Sequence, residues 1–208
     1  MHDLYHQVLR TDPSGMPLGW VTYQEAVKYY HTQRVLYSCG KPLYVIHGGI
    51  NAGTGLQSVV EVNSIIATLS EHSSYKRKHV NYSPPLSNTT LFARDARICL
   101  YCGHHFSVRE LSRDHITPVS QGGLDCWSNV ATACKRCNNY KAGRTPEQAG
   151  MTLLAIPFRP SHAEYIYLKG RQVLSDQMEF LKAHFPRTSP LHARIAGLSL
   201  NEQVSKQQ

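Results

Sequence analysis

The chain has 208 residues, of which 41% are hydrophobic and 9% aromatic, so it suits one large domain or two small ones and is too apolar for a disordered chain. Its 22 Lys and Arg residues outnumber 14 Asp and Glu residues, and the formal net charge of +8 favours a polyanion or an acidic surface as partner. No stretch reaches the about 20 apolar residues that span a bilayer, and the polar N-terminus lacks the apolar centre of a signal peptide. We therefore expect a cytoplasmic protein with no membrane partner.

The first 72 residues predict a small α+β unit. Thr22 and Glu25 have the spacing of a capping box, in which each side chain bonds the other residue's backbone N–H, and they open a helix that ends near Gln33. Alternating or β-branched residues predict strands at residues 4–10, 34–38, 43–47 and 58–69. The glycine-rich residues 48–55 are interpreted as a hairpin loop because they lack the Lys-Ser/Thr ending of a phosphate-binding loop. This unit contains no obvious chemical motif.

Residues 73–88 are polar and predict a linker or an exposed basic loop. They contain the basic run Lys76-Arg77-Lys78, flanked by tyrosines that suit contact with a DNA backbone. A plain exposed loop explains the same composition equally well.

Six cysteines decide how the second half is interpreted, because a reducing compartment disfavours a disulfide scaffold. Two Cys-x-x-Cys pairs, Cys99/Cys102 and Cys134/Cys137, flank residues 103–133 and together supply the four thiolates that structural zinc prefers. Two disulfides, or iron instead of zinc, are the alternatives. Cys39 and Cys126 have no such partner and are expected to be small buried side chains.

Between the cysteine pairs, the pattern predicts a strand at residues 111–119 and a second strand at residues 129–134, joined through the turn Gly122-Gly123. A short helix over residues 134–141 follows and ends at Gly143. Zinc would hold this helix against the hairpin.

The side chains of this segment suit hydrolytic chemistry. Asp114 and Asn138 offer hard oxygen ligands of the kind magnesium accepts. The imidazole of His115 is suited to take a proton from an attacking water, and Asn129 is a candidate for holding that ring by a hydrogen bond. Because adjacent strand residues face opposite ways, Asp114 and His115 need a local twist to serve one site.

Residues 89–160 resemble the HNH endonucleases, whose active unit is the ββα-metal fold. The shared pattern comprises the two cysteine pairs, Asp114-His115 with Pro118, Gly122-Gly123, Asn129, Cys137-Asn138-x-x-Lys141 and Arg144-Thr145-Pro146. The preceding residues 91–95 look like those of bacterial members near the methylcytosine-dependent restriction nucleases. The resemblance implies a zinc-stabilised nuclease domain over residues 89–160. With the elements predicted before and after it, the expected fold is an α+β chain with an N-terminal unit, this domain and C-terminal helices.

The resemblance also implies roles for individual residues. His115 is the general base, Asn129 orients it, Asp114 and Asn138 hold a catalytic Mg²⁺ or Mn²⁺ ion, and Lys141 contacts a phosphate. Many members have a histidine where this chain has Asn138. The implied reaction is hydrolysis of duplex DNA, which leaves 5′-phosphate and 3′-hydroxyl ends.

Several basic residues are candidates for nucleic-acid contact: Arg94, Arg97, Arg113, Lys141, Lys76, Arg77 and Lys78. A zinc-stabilised nucleic-acid-binding module without catalysis is the main alternative function, and a zinc-knuckle scaffold for protein contacts is another. A homo-oligomer is compatible with the sequence, which contains no specific signal for one.

After the nuclease segment, Thr145 and Pro146 predict the start of a short helix. Residues 161–185 predict C-terminal helices, of which one covers residues 172–185, and residues 186–208 predict a frayed tail.

Overall fold

The computed structural model describes residues 5–69 and 82–196. It divides into two compact units, the first formed by residues 1–81 with 162–208 and the second by residues 82–161. The predicted α+β class is confirmed. The basic run Lys76-Arg77-Lys78, most of the predicted linker and the end of the predicted tail lie outside the described residues. No helix in the described ranges is long and apolar enough to cross a bilayer.

The first unit is built on a four-stranded sheet of β1 (Val8–Thr11), β2 (Pro17–Val21), β3 (Val35–Ile50) and β4 (Gln57–Thr68). The strand order is β2-β1-β4-β3. Strands β1 and β4 pair in parallel, and the other neighbours pair antiparallel. β2 is absent from the predicted strands because Pro17 and Gly19 are typical of turns, but an edge strand tolerates proline.

Two predicted strands, residues 34–38 and 43–47, are one long strand in the structure. The ladder of β3 is irregular between Cys39 and Pro42, and Gly40 has a φ of +77°. The predicted glycine-rich loop is also shorter than expected, since β3 continues to Ile50. The turn begins at Asn51, whose side-chain oxygen accepts bonds from the backbone N–H groups of residues 53 and 54.

Helices pack on this sheet and close its core. α1 (Tyr23–His31) begins with the predicted capping box of Thr22 and Glu25, which is confirmed. α1 contributes Ala26 to a buried cluster with residues of β1, β3 and β4. Two C-terminal helices, α4 (His162–Lys169) and α5 (Ser175–Ala183), belong to this first unit. Residues 191–196 are also helical, with Leu191 and Ile195 buried, so the prediction of a frayed tail is wrong for this part of residues 186–208.

The second unit contains a helix, a hairpin and a second helix in chain order. These are α2 (Asn88–Arg94), β5 (Leu111–His115), β6 (Val130–Cys134) and α3 (Lys135–Lys141). β5 and β6 pair antiparallel, with Leu111 opposite Cys134 and His115 opposite Val130. β5 ends four residues before the predicted end at residue 119, because the chain turns into a 3₁₀ helix at residues 119–121.

The prediction of a helix that begins at Thr145 is wrong. Thr145 and Gln148 do exchange the two capping bonds, at 2.9 and 3.3 Å. The chain nevertheless makes only a turn, because Gly150 takes a φ of +64° and the N–H of Met151 bonds back to the carbonyl of Pro146.

Candidate functional site

The four paired cysteines converge in the second unit. Their Sγ atoms all lie within 4.8 Å of one another. A tetrahedral zinc ion with bonds of about 2.3 Å needs sulfur atoms about 3.8 Å apart, so the cluster fits zinc. All six cysteines of the chain are free thiols, so the structure does not contain the two disulfides of the alternative interpretation. The cluster therefore has the donor set and the spacing of a structural zinc site.

Local backbone structure brings each cysteine pair to the cluster. The first pair lies in a tight turn in which the N–H of Gly103 bonds the carbonyl of Cys99 at 2.9 Å, with Gly103 at a φ of +74°. The second pair lies where β6 becomes α3, so that Cys134 caps the helix and accepts a bond from the N–H of Cys137. The N–H of Leu100 donates to the carbonyl of Thr132 and fixes the first turn against β6.

Crowding of four sulfur atoms makes a cation necessary for full ionisation. Burial raises the pKa of the Cys102 thiol and of the Cys137 thiol, and the neighbouring Cys99 sulfur raises both further. Burial also acts to raise the pKa of Cys99, but backbone N–H donors outweigh it and leave that pKa lowered. A divalent cation at the centre of the cluster would let all four thiols ionise, which is how zinc binds cysteine.

His115 is the last residue of β5, and its side chain is 26% exposed. Its Nε2 atom lies 2.9 Å from Oδ1 of Asp125, a residue that the sequence analysis does not name. Arg113 lies two residues earlier on the same face of β5 and donates through Nη1 to both oxygens of Asp125, at 2.9 and 2.8 Å. The Arg113 guanidinium, and then His115, lower the pKa of the Asp125 carboxyl.

The sequence predicts that Asn129 holds the His115 ring, but the structure contradicts this. The side chain of Asn129 bonds backbone groups instead. Its Oδ1 accepts from the N–H of Thr117 at 2.9 Å, and its Nδ2 donates to the carbonyls of Thr117 and Leu124 at 3.0 and 2.9 Å. Asn129 therefore closes the loop at residues 117–124, which precedes Asp125. Its effect on the histidine is indirect.

Asp114 lies on the opposite face of β5 from His115, and it is buried, with 4% of its surface exposed. Its Oδ1 lies 3.0 Å from Nζ of Lys141, and its Oδ2 accepts a bond from the hydroxyl of Tyr101. Burial and the Asp114 carboxylate raise the pKa of Tyr101, so that hydroxyl stays protonated and donates. Both oxygens of Asp114 are thus engaged within the protein.

The prediction that Lys141 contacts a phosphate is corrected by its burial. Lys141 is 0% exposed, and its ammonium also donates to the carbonyl of His115 at 2.7 Å. Lys141 does lie one helical turn after Asn138, but its side chain faces the hairpin, where its ammonium bonds residues of β5. Lys141 is therefore the internal counter-ion of Asp114.

The predicted catalytic ion site at Asp114 and Asn138 does not fit a divalent ion as these residues are arranged. Asn138 donates through Nδ2 to Oγ of Ser112 at 2.9 Å and to the carbonyl of Arg113 at 3.3 Å, which leaves its Oδ1 as an oxygen ligand. Asp114 offers none, because the Lys141 ammonium already occupies the position of a cation beside it.

The three arginines predicted to contact nucleic acid differ in environment. Arg94 is 3% exposed and donates to the carbonyls of Trp127 and Val130, each at 2.8 Å, so it is a structural residue of the interior. Arg113 is partly exposed and is paired with Asp125. Arg97 is exposed.

A β-hairpin followed by a short helix, joined by a four-cysteine site with an accessible histidine at the end of the first strand, defines the class of small ββα domains. Residues 99–154 match the family model described as HNH endonuclease, which is what this segment of the chain is similar to. The matched segment contains all four clustered cysteines, His115 and Asn138. No curated protein matches the chain. The similarity to the methylcytosine-dependent branch stays a prediction.

Proposed function

We propose that the second unit is an endonuclease that hydrolyses DNA phosphodiester bonds with His115 as the general base. The observation that carries this proposal is the accessible His115 ring, held by a carboxylate at the end of β5 inside a segment that matches the HNH endonucleases. The match of residues 99–154 to the HNH endonuclease model supports a nuclease-type function and a nucleic-acid substrate. Cleavage of DNA and the role of His115 are the further steps of the proposal.

The contact with Asp125 decides which nitrogen of His115 acts as the base. An ionised carboxylate only accepts hydrogen bonds, so Nε2 carries the proton and Nδ1 keeps the lone pair. Nδ1 then takes a proton from a water molecule as the water attacks phosphorus in line with the departing 3′ oxygen. The products carry a 5′-phosphate and a 3′-hydroxyl group.

HNH nucleases use divalent metal ions, which stabilise the charge that develops on the phosphate and the leaving oxygen. The zinc cluster is a separate, structural site with no open ligand position in its four-sulfur shell. Asn138 supplies an oxygen ligand beside β5, and Asp114 can join it only by exchanging the Lys141 ammonium for the ion. We therefore propose Asn138 as the first residue to replace in measurements of Mg²⁺ or Mn²⁺ affinity.

The charge of the protein supports a polyanionic substrate. The chain carries a formal net charge of +8, and the second unit exposes six basic residues in addition to the paired Arg113. These are Arg97, Arg109, Lys135, Arg136, Arg144 and Arg159. Phosphate contacts of this kind make binding fall steeply with salt concentration and carry no sequence information.

A plasmid-nicking assay with His115→Ala tests the proposal. We expect the unaltered protein to nick supercoiled DNA with Mg²⁺ or Mn²⁺, and the variant to lose about 100-fold or more in rate, because a general base contributes about 10²–10⁴-fold. His47→Ala, at an exposed histidine of β3, is the matched control and should cleave normally. End-labelling of the products should reveal 5′-phosphates.

The other outcomes identify the alternatives. Equal cleavage by His115→Ala and the unaltered protein would remove His115 from the role of base. DNA binding without cleavage under any divalent ion would favour a zinc-stabilised binding module, for which the buried, fully bonded Asp114 is the favouring observation. Cleavage of RNA but not of DNA would overturn the choice of substrate.

A further inference from the structure

We propose that Asp125 is the positioning residue of His115, and that Arg113 holds Asp125 in place for this purpose. The inference deepens the proposed function, because it assumes that His115 is the base. It assigns to a carboxylate the orienting role that the sequence predicted for the amide of Asn129.

The contacts form a chain from α2 to the histidine ring. Nε of Arg113 donates to Oδ1 of Asn88 at 3.0 Å, and Nη1 of the same guanidinium reaches both oxygens of Asp125. Oδ1 of Asp125 then lies 2.9 Å from Nε2 of His115. Arg113 and His115 reach one carboxylate because residues two apart on a strand share a face.

The loop that carries Asp125 is built to hold a single conformation. Gly122 takes a φ of +85°, a backbone conformation that residues other than glycine rarely adopt. A Cβ atom on Gly123 would lie 1.8 Å from the carbonyl oxygen of Thr117 and 2.9 Å from Nδ2 of Asn129. The glycine pair and Asn129 thus pack the loop tightly and bring Asp125 to the end of β5.

The carboxylate of Asp125 remains ionised where the enzyme would work. Bonds from Arg113, and then from His115, hold its pKa below the ordinary value, so its negative charge persists through neutral and mildly acidic pH. The contribution to stability is present above the unfolded pKa and is lost as pH falls through the lower folded pKa. The Asp125 side chain is 54% exposed, so its ion pair with Arg113 should add little to stability. We expect Asp125 to act mainly by orienting the His115 ring.

Replacing Asp125 with Asn tests this inference through the tautomer of His115. An amide can donate to Nε2, which would move the ring proton to Nδ1 and remove the lone pair that accepts the water proton. We expect kcat for plasmid nicking to fall about 10- to 100-fold, which is less than the about 10²–10⁴-fold contribution of a general base itself, while KM changes little. Glu147→Gln, at an exposed carboxylate of the same unit, is the control and should leave kcat unchanged.

Long-range ¹H–¹⁵N spectra of histidine-labelled protein supply a readout that is independent of activity. The signals of His115 are identified by their absence in His115→Gln. The unaltered protein should show the Nε2–H tautomer at a pH where the ring is neutral, and Asp125→Asn should shift the population toward Nδ1–H.

The possible results separate this inference from the proposed function. An unchanged tautomer together with unchanged kcat in Asp125→Asn would overturn the role of Asp125 while His115 remains the base. If the unaltered protein cleaves no nucleic acid, the proposed function fails, and the spectra still test whether Asp125 sets the tautomer. Thermal unfolding and zinc content should match the unaltered protein, which would exclude misfolding as the cause of a lower kcat.

Discussion

Cys134→Ser is expected to remove the metal from the four-cysteine cluster and to unfold the second unit. Cys134 is 4% exposed, ends β6 and caps α3, so it joins the hairpin, the helix and the metal at one point. The second unit is small, and a structural zinc site contributes on the order of 10 kcal/mol to the folding of such domains. Loss of one thiolate therefore removes more stability than a unit of this size has in reserve.

The two tryptophans allow the units to be followed separately. Trp20 belongs to the first unit, and the buried Trp127 belongs to the second. With Trp20 replaced by Phe, fluorescence reports on the second unit alone, and Cys134→Ser should show the emission of an exposed indole before any denaturant is added. Metal analysis by mass spectrometry measures the bound ion and distinguishes zinc from iron.

Cys126→Ser is the matched control, because Cys126 lies outside the cluster and its Sγ atom lies 3.4 Å from the hydroxyl of Ser128. It should retain about one equivalent of zinc and the unaltered unfolding transition. A Cys134→Ser protein with an unchanged transition and no bound metal would contradict a structural role for the cluster.

Lys141→Met is expected to lower the free energy of unfolding of the second unit by about 3–5 kcal/mol, because removing one partner of a buried ion pair leaves the other charge uncompensated. The Asp114 carboxylate would keep only the hydroxyl of Tyr101, and the carbonyl of His115 would lose its donor. Urea unfolding followed by Trp127 fluorescence measures this loss. Combining Lys141→Met with Asp114→Asn should cost much less than the sum of the two single changes.

The same experiment decides between the internal and the external role of Lys141. Lys135→Met removes an exposed lysine from the start of α3 and should leave stability within about 0.5 kcal/mol of the unaltered protein. If Lys141→Met kept full stability and instead flattened the salt dependence of DNA binding, Lys141 would be a phosphate contact after all.

Local patterns in the sequence were sufficient for several features. The capping box of Thr22 and Glu25 was predictable because its two bonds join residues three apart. The hairpin and helix of the second unit were predictable because cysteine pairs at fixed spacing can meet only if the segment between them folds back. His115 was predicted as the general base because it follows Asp114 between the two cysteine pairs, and it lies within the residues that match the family model.

Contacts between distant residues needed the tertiary structure. The strand alternation of β5 sends Asp114 inward and His115 outward, and this choice makes Lys141 a buried counter-ion rather than a phosphate contact. Asp125 reaches His115 only because Asn129 and Gly123 close the preceding loop. The sequence by itself determined the four cysteines that cluster and the class of domain, since these depend on residue type and spacing. Tertiary structure decided which side chain contacts the histidine and which charges are buried, because those depend on the face of the strand and the path of the loop.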